Sequence, residues 1–185
     1  MRRSLLLILC CAPVAVSCVT NDPAPLYADI NYQVRCIDCE PRAVDDSAHH
    51  IAALNGENGF DVSCTVQQSG GRLVSFNAAL IDAKHPTSSY GFEILQANVD
   101  KKDPGAGCRV LVTEGSNTYE GRCTSGDPTT GAPCQVIIKD DKGVATGSVL
   151  CDAIPNRNDS TVTRHVVLPG STDAAKFAIH GCPGL

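Results

Sequence analysis

Two cysteines separated by two residues, Cys36 and Cys39, have the C-x-x-C spacing of dithiol oxidoreductases. Redox activity of such a pair requires a thiol of lowered pKa, which a helix N-terminus supplies. Here the pair follows a strand-like pattern, and the neighbouring Asp38 and Glu40 disfavour a thiolate. We therefore interpret Cys36 and Cys39 as structural cystines, with an envelope thiol oxidoreductase as the alternative.

A zinc site is a second use for these thiols, because Cys36, Cys39, Cys64 and one of His49 or His50 provide four suitable ligands. No second C-x-x-C accompanies the first. In an oxidising compartment the thiols are consumed by disulfides before a metal binds them. The sequence therefore predicts no metal site and no cofactor.

Calcium prefers carboxylate and carbonyl ligands, and three acidic loops offer them. None has the D-x-[DN]-x-[DN]-G spacing of a calcium loop, and Asp and Asn are also the residues that turns require. A calcium-binding or small-ligand-binding β-sandwich remains an alternative function. The loops are Asp100 to Asp103, Asp140-Asp141 and Asn156 to Asp159.

Motifs that mark catalytic sites are missing from the sequence. It contains no G-x-S-x-G, no H-E-x-x-H, no P-loop and no G-x-G-x-x-G. The expectation is that no residue is catalytic and that the protein is not an enzyme.

The amino-terminal residues have the pattern of an export signal. Arg2 and Arg3 precede an apolar run over residues 4–15 that is too short to span a bilayer. The segment Ala15-Val16-Ser17-Cys18 resembles the lipobox of bacterial lipoproteins, which implies cleavage before Cys18 and lipidation of that cysteine. Val19, with no Asp at that position, is similar to the outer-membrane sorting pattern of Gram-negative lipoproteins.

This resemblance implies a cell-envelope protein held to the membrane by lipid, in the outer membrane of a Gram-negative bacterium. We divide the chain into a signal peptide at 1–17, a tether at 18–28 and a single β domain at 29–185. The formal charge of −5 becomes −7 once the two signal arginines are subtracted, and no Lys/Arg cluster remains for phosphates. Nucleic acid is therefore not expected as a partner, whereas an envelope protein is.

Cysteine usage fits an oxidising compartment. Two of the eleven cysteines, Cys10 and Cys11, lie in the signal and Cys18 is the lipidation site. The eight that remain predict four disulfides, with 105 possible connectivities. These eight are Cys36, Cys39, Cys64, Cys108, Cys123, Cys134, Cys151 and Cys182.

The apolar residues of the domain recur mostly with period 2 between turn residues, which predicts an all-β, antiparallel β-sandwich. We expect about eight to ten short strands and at most one short helix, over residues 46–54, where His49 and His50 are adjacent. The predicted strands are 29–37, 60–67, 73–81, 90–99, 108–113, 118–123, 135–139, 144–151, 161–168 and 175–180.

Two similar units that begin and end in cysteine occupy the second half of the chain. A two-residue turn at Gly115-Ser116 places Cys108 opposite Cys123, and one at Lys142-Gly143 places Cys134 opposite Cys151. These are the preferred disulfide pairs. A type I turn with a glycine bulge would separate the second pair, and a bridge from Cys123 to Cys134 is a further possibility. The function that these features predict is a noncatalytic, lipid-anchored envelope protein with a structural or protein-interaction role.

Overall fold

The computed structural model describes residues 24–36 and 46–185. The expectations for the signal peptide, for Cys18, for most of the tether and for Cys39 lie outside these residues. Within them the chain forms eleven strands and two short 3-10 turns, at Glu57–Gly59 and Pro86–Ser88. The strands are β1 Tyr27–Arg35, β2 Ser47–Leu54, β3 Phe60–Gln68, β4 Arg72–Leu80, β5 Tyr90–Asn98, β6 Arg109–Glu114, β7 Asn117–Thr124, β8 Cys134–Asp140, β9 Ala145–Pro155, β10 Thr163–Val167 and β11 Ala175–His180.

The strands form the two layers of an antiparallel β-sandwich. The first layer runs β2, β1, then β10 and β11 together, β9 and β8. The second layer runs β3, β4, β5, β6 and β7. A short parallel pairing of β7 with β8 joins the layers on one side, and β2 and β3 are the outermost strands on the other. The sandwich is therefore closed on one side and open on the other.

Strands β10 and β11 share one position between β1 and β9. Both are antiparallel to β1, with Val167 opposite Gln33 and Lys176 opposite Asn31. The residues between them leave the sheet as a loop, in which the Leu168 N–H donates to the Asp173 carbonyl at 2.8 Å. The two strands are thus one strand position interrupted by an insertion.

Aromatic side chains fill the space between the layers. The Tyr32 ring on β1 lies 5.3 Å from the Phe92 ring on β5, and the Phe76 ring on β4 lies 4.9 Å from the Phe177 ring on β11. The burial pattern of β1 alternates residue by residue. The period-2 pattern of β1 thus has the physical cause inferred from the sequence, namely that one face of the strand is buried between the layers.

The helix predicted over residues 46–54 is wrong, because this segment is strand β2. It pairs with β1 from Tyr27 opposite Leu54 to Val34 opposite Ser47, without a bulge. Alanine favours a helix, but burial of Ile51 and Ala53 against the second layer outweighs that local propensity. The strand count is eleven as a result.

The two cysteine-flanked hairpins have the registers predicted from the sequence. Glu114 lies opposite Asn117, with a positive φ at Gly115. Lys142 and Gly143 form a two-residue turn with positive φ at both positions, and Cys134 lies opposite Cys151. The alternative bulged turn is therefore not formed.

The sandwich begins two residues before the predicted boundary at residue 29. Tyr27 already pairs with Leu54 and His180, so the last two residues of the expected tether belong to β1. No helix within the described ranges is long and apolar enough to cross a membrane.

Candidate functional site

Three disulfides join described cysteines: Cys64 with Cys182, Cys108 with Cys123, and Cys134 with Cys151. The last two are the preferred pairs of the sequence analysis. Cys123 also lies opposite Cys134 where β7 meets β8, yet each sulfur bonds within its own hairpin. The four cysteines therefore form one row across the closed side of the sandwich.

Gly121 shows how tightly that row is packed. A Cβ atom on Gly121 would lie 2.7 Å from the Cys134 sulfur and 2.6 Å from Cγ2 of Ile154. Both distances are below ordinary van der Waals contact, so a side chain at this position would displace the second hairpin.

Cys36 of the C-x-x-C pair is also disulfide-bonded, and it follows strand β1. Its backbone N–H donates to Oδ1 of Asp46 at 3.1 Å, and Arg35 pairs with the same carboxylate at 3.6 Å. Cys36 thus directly follows the last residue of β1, and its backbone is tied to the residue that precedes β2.

The zinc alternative is not formed from the residues named for it. The Cys64 sulfur is bonded to Cys182, so it is not a thiolate ligand. His49 faces the interior and pairs with Glu114, whereas His50 lies outside and pairs with Asp29 at 2.9 Å. No group of three or more potential metal ligands occurs in the described residues.

Two of the acidic loops considered for calcium lie close together in the structure, and the guanidinium of Arg72 lies between them. Arg72 donates to Oδ2 of Asp100 at 2.6 Å and to Oδ2 of Asp140 at 2.5 Å. The Asp140 pKa is lowered by this hydrogen bond and by the Gly143 N–H at 2.7 Å. A calcium ion here would have to displace the guanidinium, so we interpret this cluster as a structural ion pair.

The third acidic loop uses its carboxylate in a turn. The Thr161 hydroxyl and N–H both donate to Oδ1 of Asp159, at 2.6 Å and 3.0 Å. These two bonds lower the Asp159 pKa. This carboxylate therefore has the structural role that turns give to Asp.

A half-buried polar cluster that the sequence analysis missed attaches β2 to the second layer. Nε2 of His49 lies 2.9 Å and 3.1 Å from the two carboxylate oxygens of Glu114 on β6. The imidazole also stacks on the Tyr90 ring at 4.2 Å and lies 5.2 Å from Tyr32. His49 and Glu114 are 65 residues apart, so no local pattern could have revealed this contact.

The cluster adjoins an open cleft of about 320 Å³ at one end of the sandwich. Glu114, Asp46 and Asn117 line it, and the Arg164 guanidinium lies 5.4 Å from the centre of the Tyr119 ring. The cleft brings carboxylate, amide and guanidinium groups together where β2 begins.

Replacing Tyr32 with Phe is expected to make the free energy of unfolding less sensitive to alkaline pH. In the described residues its buried hydroxyl has no hydrogen-bond partner, and burial, followed by Glu114 and Tyr90, raises its pKa. The unfolded tyrosine ionises near pH 10, whereas the folded one stays protonated. The free energy of unfolding therefore falls as the pH rises above about 10.

Urea unfolding of the wild type and Tyr32→Phe at pH 7 and pH 10.5 measures this effect. At pH 7 the variant should be unchanged or more stable by up to about 1 kcal/mol, because an unpaired buried hydroxyl is removed. A larger loss at pH 10.5 in the variant than in the wild type would contradict the interpretation.

The outer edge of β2 is the second feature that could bind a partner. The Asn55 N–H donates to the Leu26 carbonyl at 3.1 Å, which continues the β1–β2 ladder. In an antiparallel ladder the direction of the backbone groups alternates from residue to residue. The odd-numbered residues 47–53 therefore bond to β1, and the N–H and C=O groups of the even-numbered residues point away from β1. The Leu54 N–H is satisfied by Glu57 Oε2 at 3.2 Å. Within residues 24–36 and 46–185 no other strand pairs with the backbone groups of Ala48, His50 and Ala52, which thus form the outer edge of this layer.

This edge lacks the features by which proteins block strand pairing. Ser47–Leu54 contains no Lys, Arg, Asp, Glu or Pro and has no bulge. The side chains on the face of β2 that is turned away from the second layer are exposed, namely Ala48, His50, Ala52 and Leu54.

The neighbouring edge strand β3 is more protected. Asn55 Oδ1 accepts from the Val62 N–H at 3.1 Å, and the disulfide from Cys64 to Cys182 holds the C-terminal residues beside this strand. A Cβ atom on Gly184 would lie 3.3 Å from Val66. The described residues therefore leave β2, rather than β3, as the open edge.

The fold and these sites define a disulfide-bonded antiparallel β-sandwich with one open edge. No protein-family model, curated protein or solved structure matches this chain.

Proposed function

We propose that this protein is a noncatalytic, lipid-anchored component of the cell envelope that binds another protein by strand addition at β2. The observation that carries the proposal is the eight-residue, unbulged edge of β2, which contains no Lys, Arg, Asp, Glu or Pro. In strand addition, backbone hydrogen bonds supply affinity and alternate side chains supply specificity. The half-buried His49–Glu114 pair holds β2 in place for this role.

The anchor in this proposal is the lipidated Cys18, in the outer membrane of a Gram-negative bacterium. Only nine residues lie from Cys18 to Leu26, before β1. At about 3.5 Å per extended residue they span at most about 30 Å. The sandwich and its β2 edge would therefore stay close to the membrane, where other envelope proteins are concentrated.

Intact mass of the protein expressed with its own signal in a Gram-negative host tests the anchor. We expect a chain that begins at a triacylated Cys18 and has eight cysteines that alkylate only after reduction. An unlipidated Cys18 would refute the lipid anchor. Alkylation of Cys36 and Cys39 without reductant would favour the oxidoreductase alternative.

Photo-crosslinking in the intact envelope tests the β2 edge. A benzophenone amino acid in place of exposed Ala48 should give covalent adducts, since a strand paired with β2 passes within reach of this side chain. The matched control is the same group in place of Lys176, which is exposed on the interior strand β11 of the same layer. Adducts at neither position, or equal adducts at both, would contradict strand addition at β2.

A further inference from the structure

We infer that the strand added at this edge is β2 of a second copy of the chain, paired antiparallel about a two-fold axis at Ile51. This inference rests on the proposed function and names its partner. A two-fold interface must be self-complementary, because the same surface occurs on both sides. The β2 edge meets that condition in its register, its charges and its position relative to the anchor.

The hydrogen-bond pattern restricts the register. Only the even-numbered residues of β2 direct backbone groups outward, so even-numbered residues must pair with even-numbered residues of the second copy. With Ile51 on the axis, His50 lies opposite Ala52 of the second copy and Ala48 lies opposite its Leu54. The neighbouring register centred on His50 would instead place the two imidazoles directly opposite each other.

Charge restricts where a second copy can meet this chain. Without the two signal arginines the formal charge is −7, so two copies repel each other over most of their surfaces. The β2 strand itself has no Lys, Arg, Asp or Glu, and His50 is paired with Asp29 of its own chain at 2.9 Å. Glu57, at one end of the edge, would lie at the opposite end from Glu57 of the second copy. In this register Glu57 lies beside Asp46 of the second copy, whose carboxylate is paired with Arg35 of its own chain at 3.6 Å. Acidic groups of the two copies therefore meet at the two ends of the edge, and none lies within the paired strands.

The position of the anchor is compatible with this dimer. Tyr27, where β1 begins, lies opposite Leu54, so the two amino ends of the sandwiches would be roughly 20 Å apart along the strand direction. Both tethers reach one membrane when the two-fold axis is perpendicular to it. Confinement to one membrane also raises the effective concentration of identical copies.

The photo-crosslinker at Ala48 tests the inference when combined with substitutions at Ala52. The Ala52 N–H points outward, so Ala52→Pro removes a donor to the second copy without removing a bond to β1. Ala52→Ser, which retains the N–H, is the matched control. Ala52→Lys, which adds a charge to the edge, is a second variant should Ala52→Pro fold poorly.

We expect adducts of twice the protomer mass. Their yield should be at least tenfold lower in Ala52→Pro and Ala52→Lys than in Ala52→Ser. Adducts of Ala48 with a different protein would overturn the dimer and leave strand addition at β2 in place. Twofold-mass adducts that persist in both edge variants would also overturn it, since the copies would then meet elsewhere. An absence of any adduct at Ala48 would overturn both proposals.

Discussion

Replacing Cys64 and Cys182 together with alanine lowers the free energy of unfolding by about 4 to 5 kcal/mol. Their disulfide connects residues 118 positions apart, and the entropy that a cross-link removes from the unfolded chain grows with the length of the closed loop. It also attaches the C-terminal residues to β3, an edge strand whose single partner among the described strands is β4. Urea denaturation of the double variant measures the loss.

The matched control is the double alanine variant of Cys108 and Cys123. This disulfide closes a loop of 15 residues inside one hairpin, for which the chain-entropy model gives about 3 kcal/mol. We expect the Cys64 and Cys182 variant to be the less stable of the two. The reverse order would show that local packing around the hairpin row outweighs loop length.

Replacing Phe92 with alanine lowers the free energy of unfolding by about 3 to 5 kcal/mol. The Phe92 ring is 1% exposed and lies between the rings of Tyr32, at 5.3 Å, and Phe76, at 6.2 Å. Truncation removes buried apolar area and leaves a cavity between the layers, and both effects add to the cost. Thermal and chemical unfolding measure the loss.

Phe92→Leu and Ile137→Ala separate packing from the mere loss of an apolar side chain. Leucine preserves most of the buried area, so it should cost clearly less than alanine at the same position. Ile137 is 45% exposed, and its replacement should change the free energy of unfolding by about 0.5 kcal/mol or less. A cost below about 1 kcal/mol for Phe92→Ala would mean that this aromatic cluster does not hold the layers together.

The features that the sequence predicts correctly are those governed by local rules. Alternation of buried and exposed residues revealed the strands, and the turn residues at Gly115 and Gly143 set the registers of two hairpins. The disulfides of those hairpins could be named because register alone brings their cysteines together.

The features that the sequence analysis missed depend on contacts between distant parts of the chain. Residues 47–54 are rich in alanine and resemble a short helix, and only pairing with β1 and burial of Ile51 make them a strand. The contact of His49 with Glu114 and the disulfide of Cys64 with Cys182 join residues 65 and 118 positions apart. Contacts over such separations leave no repeating pattern of residue types in the sequence, so the arrangement of the strands in three dimensions was needed to find them.

The place of β1 in its layer has a mechanical consequence for the anchor that we propose at Cys18. β1 pairs with β2 at eight positions on one side, and with β11 at five and β10 at three on the other. A pulling force that enters at Tyr27 along the strand loads the pairs on both sides of β1 together in shear, whereas an edge strand would share the same force among the pairs of one side only. Resistance to such a force depends on the unfolding barrier. This topology should let the sandwich remain folded under tension from the membrane.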